Sequence, residues 1–117
     1  MAESNDEAAI LRQRAWQYLV HSFLYYRLGE PVVSDGFYDE IAKELRELRE
    51  KYQGAELPFA EVIDPALGAE GSGFSIRDYP PQIVTAAFKL LYATSSPETE
   101  FVEFVEQRGY QAHIQPE

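Results

Sequence analysis

Three tyrosines and two aspartates gathered around one turn are the residues of this chain best suited to chemistry: Tyr25, Tyr26, Asp35, Tyr38 and Asp39. Asp35, Tyr38 and Asp39 stand at i, i+3 and i+4, the spacing that places side chains on one face of a helix. Tyr25 and Tyr26 close the apolar stretch before the turn, so a short hairpin carries them back toward the acids. Aromatic faces beside carboxylates suit a flat cation. The rings attract it by roughly 0.5–2 kcal/mol, and the acids complement its charge. The same residue types also serve structure alone, as amphipathic packing tyrosines and as acids at a helix start. His21, one turn before Tyr25, reads as a residue that supports the site from behind and not as a base. His113 lies in a tail with nothing near it in sequence to activate it. Two His at no zinc-like spacing, with no Cys, make no metal site.

These side chains need a helix, a turn and a second helix to hold them. The first helix is expected over 6–28, with Ser4 and Glu7 at capping-box spacing. Leu11, Ala15, Leu19 and Phe23 form one i+4 ridge, and Trp16, Val20 and Leu24 form the next, so Trp16 is expected in the core. Gly29 and Pro31 break the pattern. Ser34 is a good N-cap for a helix over 35–52, on which Phe37, Ile41, Leu45, Leu48 and Tyr52 follow the helical period. Asp39 with Lys43, and Glu47 with Lys51, are i, i+4 pairs on its solvated face. Residues 54–80 are rich in Gly and Pro. Short strands over 59–63 and 74–76 are expected there. Gly68, Gly71 and Gly73 imitate a phosphate loop without its spacing. A third helix starts near Pro81, with Ile83, Val84, Ala87, Phe88 and Leu91 inward. A fourth runs over 97–108 and stops at Gly109. The elements give a mostly α fold in one domain: a helical hairpin over 10–53, a loop-rich connection over 54–80, and a C-terminal helical extension over 81–117.

The 117 residues include 45% hydrophobic and 14% aromatic types, enough for a real core. The net charge of −10 is the wrong sign for a protein that holds nucleic-acid backbone, and no direct nucleic-acid binding is expected. The acidic, polar start is unlike a signal peptide, and no apolar run approaches the length of a membrane span. A cytoplasmic protein without membrane contact is expected.

The hairpin resembles the N-terminal Ia domain of bacterial NAD-dependent DNA ligases. The residues that carry the likeness are His21, Tyr25-Tyr26, Pro31 and Ser34-Asp35-Gly36-Phe37-Tyr38-Asp39, with Leu45-Arg46-Glu47-Leu48-Arg49-Glu50 similar to that family's second helix. The likeness covers roughly 11–52. In that family the domain closes over NAD+ and grips its nicotinamide mononucleotide (NMN) half. The resemblance implies that Tyr25, Tyr26, Asp35, Tyr38 and Asp39 bind NAD+ or NMN here, with no metal. Ligase chemistry itself uses a lysine in a Lys-x-Asp-Gly motif inside a nucleotidyltransferase domain. Lys51-Tyr52-Gln53-Gly54 puts Gln in place of the Asp, and no such domain follows in these residues. The resemblance therefore implies a non-catalytic, free-standing module of phage-encoded type. The alternative is a small acidic protein-interaction protein, a phage-type inhibitor or adaptor of a host protein, with DNA mimicry as one form. An NAD+-cleaving enzyme would have only Asp35 or Asp39 to act at the ribose carbon. A homodimer or a protein partner at the junction end is expected, because a free copy of such a hairpin exposes aromatic surface.

Overall fold

The fold is mostly α, as the periodicities predict. The computed structural model describes residues 2–52, 54, 56–69, 76 and 78–110. Among these residues five α-helices follow one another: α1 (Ala2–Ser22), α2 (Asp35–Lys51), α3 (Ala60–Ala69), α4 (Pro81–Ser95) and α5 (Phe101–Glu106). A π-helical segment, Phe23–Leu28, extends α1, and no strand occurs among the described residues. Among the described residues no helix is long and apolar enough to cross a membrane.

α1 and α2 form the helical hairpin, and α4 packs across α1 and the π segment, with α5 against α4. The inner face of α1 carries Leu11, Ala15, Tyr18, Leu19 and Ser22. On α2 the buried set is Tyr38, Ile41, Ala42 and Leu45, an i, i+3, i+4, i+7 stripe. Ile83, Ala87, Phe88 and Leu91 of α4 are buried against them. Phe23 sits at the meeting point, edge-on to Tyr79, Phe88 and Tyr110 at 5.2–5.8 Å between ring centres.

Several expectations need correction. Of residues 59–63, none lies in a strand: Phe59 is in a turn and 60–63 open α3, whose buried face is Ile63, Ala66 and Leu67. Pro65 sits inside that helix and cannot donate to the preceding turn. Burial of an i, i+3, i+4 apolar set outweighs the Gly and Pro content that argued for a loop. Gly68 belongs to the same helix. Of the other expected strand, 74–75 lies outside the described residues, as do Gly71, Gly73, Gln53 and His113. Trp16 is 41% exposed. Its ridge buries Val20 and Leu24, but at Trp16 the aromatic neighbour among the described residues is Phe59 from the connection, 6.5 Å away and tilted by 40°. Phe37 is 50% exposed, because the inward stripe of α2 runs one position later, through Tyr38. α1 begins at Ala2, ahead of Ser4, so Ser4 does not cap it. Glu7 instead takes Lys51 at 3.3 Å and the Tyr52 hydroxyl, which ties the ends of α1 and α2 together. α5 is shorter than the expected 97–108, and a turn over 107–109 with Gly109 at φ 84° follows it.

Ion pairs cross between elements. Arg14 meets Glu44 at 2.7 Å, Arg49 grips Asp64 through two bonds of 2.9 Å, and Arg108 meets Glu30 at 2.8 and 3.1 Å. The last pair fastens the hairpin turn to the end of α5. Such partly exposed pairs are each worth up to about 1 kcal/mol and fix orientation more than stability.

Candidate functional site

The junction of α1 and α2 is built by two local devices. At the end of α1 the backbone widens into the π segment, and Gly29 closes it in the left-handed region at φ 66°, with its N–H donating back to the Leu24 carbonyl. A side chain would be strained at that φ, which accounts for glycine there. Wide turns of this kind recur at functional sites because they re-aim side chains without ending the helix. Here Phe23 and Leu24 go to the core, while Tyr25 and Tyr26 meet α2. On the other side Ser34 caps α2. Its backbone is extended, and its Oγ accepts from the Phe37 N–H at 3.1 Å. The cap places Asp35 in the first turn, where the helix dipole favours a carboxylate.

Between these devices the five expected residues come together, though not in equal roles. Tyr38 is only 5% exposed. Its ring lies nearly parallel to Tyr18 at 5.8 Å and to Tyr25 at 6.1 Å, with Tyr26 edge-on at 6.3 Å. Tyr18 and Tyr25 are two helical turns apart, so Tyr38 is inserted between them. Its hydroxyl and that of Ser22 share a hydrogen bond of 2.6 Å. An expectation that Tyr38 offers a free stacking face is therefore corrected: the faces of this ring are taken up by packing. Tyr25, half-buried and tilted against Tyr26 at 4.7 Å, is the outermost ring of the stack.

Asp35 and Asp39 are exposed and close to Tyr25. The negative charge of Asp35 is the main cause that holds the Tyr25 phenol above its ordinary pKa; partial desolvation, Tyr26, a hydrogen bond to Asp35 and the charge of Asp39 add to it. Tyr25 is thus a neutral ring against an anionic rim. Burial raises Tyr18 and Tyr79 in the same direction, with Tyr38 as a further cause in both. His21 is 9% exposed, and burial lowers its pKa, so the imidazole is neutral at neutral pH. It stands edge-on to Phe37 at 6.5 Å, and its Nδ1 has no hydrogen-bond partner among the described residues. The histidine supports the junction from below and is not at its surface.

Sequence reasoning overlooked Tyr18, Ser22 and Tyr79, which pack behind the rim. Tyr18 had a readable signal, since it precedes Tyr25 by two full turns on one stripe. Tyr79 had none, because its approach depends on how the connection returns to α4. Among the described residues no group of three His, Asp or Glu gathers as a metal ion would require.

No family model and no solved structure matches the chain. One curated protein does match over a short segment, a DNA ligase of Fervidobacterium nodosum, 47% identical over 38 residues. Over that segment the chain is similar to a DNA ligase. The matched segment is 32% of this chain and 6% of that ligase, so the likeness concerns a fragment of a much larger protein.

Proposed function

We propose that this protein is a non-catalytic, ligase-related module whose α1–α2 junction binds the nicotinamide mononucleotide half of NAD+. The observation that carries this reading is the Tyr25 ring set against the carboxylates of Asp35 and Asp39. The oxidised nicotinamide ring is a flat cation. It would stack on Tyr25, with Tyr26 beside it, while Asp35 and Asp39 complement its charge and accept from ribose hydroxyls or the carboxamide. Tyr38, Tyr18 and Ser22 keep Tyr25 in place, and His21 backs Phe37.

Titration of the full chain with NMN and with NAD+, followed by NMR, tests the reading. Shifts confined to Tyr25, Tyr26, Asp35, Asp39 and their neighbours are expected. Tyr25→Ala and Asp35→Asn should each weaken binding by about 1 kcal/mol, close to fivefold. The reduced cofactor, whose ring is uncharged, should bind less well than NAD+. Equal affinity for both redox forms would remove the electrostatic part of the proposal. A silent titration would favour the second reading, an acidic interaction protein acting as a homodimer or on a protein partner. Phe37, half exposed beside the junction, is what favours that reading.

The module should also fail to adenylate itself. Lys51 lies exposed at the end of α2, paired with Glu7 and 5.3 Å from the Tyr52 ring. Mass spectrometry after incubation with NAD+ or ATP and Mg2+ should show the unmodified mass. An added AMP on Lys51 would overturn the non-catalytic part.

A further inference from the structure

We infer a second binding site, independent of the junction, in the cleft between the middle of α1, the 58–59 connection and the start of α4, and that it takes a small aromatic anion. The cleft has a volume of about 300 Å³ and is lined by Arg12, Ala15, Trp16, Pro58, Phe59 and Gln82. Pockets of that size hold one or two rings. Its walls are aromatic: Trp16 and Phe59 stand 6.5 Å apart with their planes 40° from parallel, so they form an open wedge instead of a closed stack. Buried Ala15 is a small floor between them.

Phe59 breaks two local rules at once. Its φ is +64°, a left-handed conformation that a bulky side chain rarely adopts. It also stands where α3 begins, its carbonyl accepting from the Val62 and Ile63 N–H groups at 2.9 and 3.0 Å. Gly, Asn, Asp or Ser would suit that position better, by relieving the strain or by capping. A residue that conflicts with its backbone while its ring walls a cleft points to a use for the ring.

The charge of the site runs against that of the molecule. The chain carries −10 overall, yet among the described residues that line the cleft the one formal charge is the cation of Arg12. The ion pairs among the described residues use Arg14, Arg49, Lys51 and Arg108 and leave Arg12 without a carboxylate. Gln82 lies in the first turn of α4, a 15-residue helix with no acid in that turn and no capping side chain, so the positive end of its dipole adds to Arg12. A flat ring with a carboxylate or phosphate fits this set, the ring in the wedge and the anion at Arg12.

Trp16 is the chain's single tryptophan, so its indole N–H gives one resolved signal in a 15N-labelled sample of the full chain. The test titrates that signal with 2-naphthoate and with its neutral counterpart 2-naphthylmethanol. Saturable shifts are expected for both, with the carboxylate bound about three- to fivefold tighter, the size of one exposed charge attraction. Arg12→Gln should abolish the preference and keep the neutral ligand's affinity. Phe59→Gly should lose both ligands, while glycine's fit to the left-handed backbone offsets part of the packing lost with the ring. A nonspecific apolar patch on a chain of −10 would favour the neutral compound. That result, an unmoved indole signal, or undiminished binding in Phe59→Gly would overturn the inference. If Phe59→Gly fails to fold, the Arg12→Gln comparison decides alone.

Discussion

Phe23→Ala is expected to lower the unfolding free energy by about 3–5 kcal/mol, the range for emptying a buried aromatic site. Phe23 is 2% exposed and is the one ring that meets Tyr79, Phe88 and Tyr110 together. It joins the hairpin to α4, to the connection before α4 and to the chain after α5. Each edge-to-face contact adds to simple area burial. The cavity would open where several elements meet and are held by other contacts, so collapse would recover only part of the loss. Urea denaturation followed by circular dichroism measures the effect. A loss under about 1 kcal/mol would mean that Phe23 is not at the centre of the core.

Tyr38→Ala comes next, at about 3–4 kcal/mol by the same rule for buried aromatic side chains. The ring is inserted between Tyr18 and Tyr25, and its removal also leaves the Ser22 hydroxyl buried without its 2.6 Å partner. Tyr38→Phe separates the two contributions. It keeps the ring stack and removes only the hydrogen bond, so its cost should be about 1–2 kcal/mol. The pair also bears on the proposed junction site. Because Tyr25 is the outer ring, Tyr38→Phe should leave NMN affinity nearly unchanged, while Tyr25→Ala should not. Thermal melts and the NMN titration, run on the same variants, give both numbers. Equal NMN losses in Tyr38→Phe and Tyr25→Ala would show that the Tyr38 hydroxyl reaches the ligand, contrary to its position here.

Much of the hairpin was legible without coordinates, for a local reason. Ser34 can cap because its hydroxyl reaches an N–H three residues on, and Gly29 can end a helix because it lacks a Cβ. Both effects act within one turn of chain, as do the dipole's preference for Asp35 and the left-handed Gly109 after α5. The i, i+3, i+4 stripe of Ile41, Ala42 and Leu45 is equally local. So is that of Ile83, Ala87, Phe88 and Leu91 in α4.

The rest was decided by tertiary structure. Whether Trp16 or Tyr18 faces inward depends on where α2 and the 58–59 connection lie across α1, and a ridge of apolar residues is wide enough to allow either. Whether Tyr38 or Tyr25 is the outer ring depends on the π segment, whose wide turn rotates the aromatic pair and has no sequence signature in Phe23–Leu28. α3 forms despite Pro65 because Ile63, Ala66 and Leu67 find a core to enter, and a loop-rich composition cannot announce that core. The order of residues was enough to place five side chains near one junction. Only packing sets which of them can touch a ligand, because burial is a property of the neighbours a side chain meets across the fold and not of its spacing along the chain.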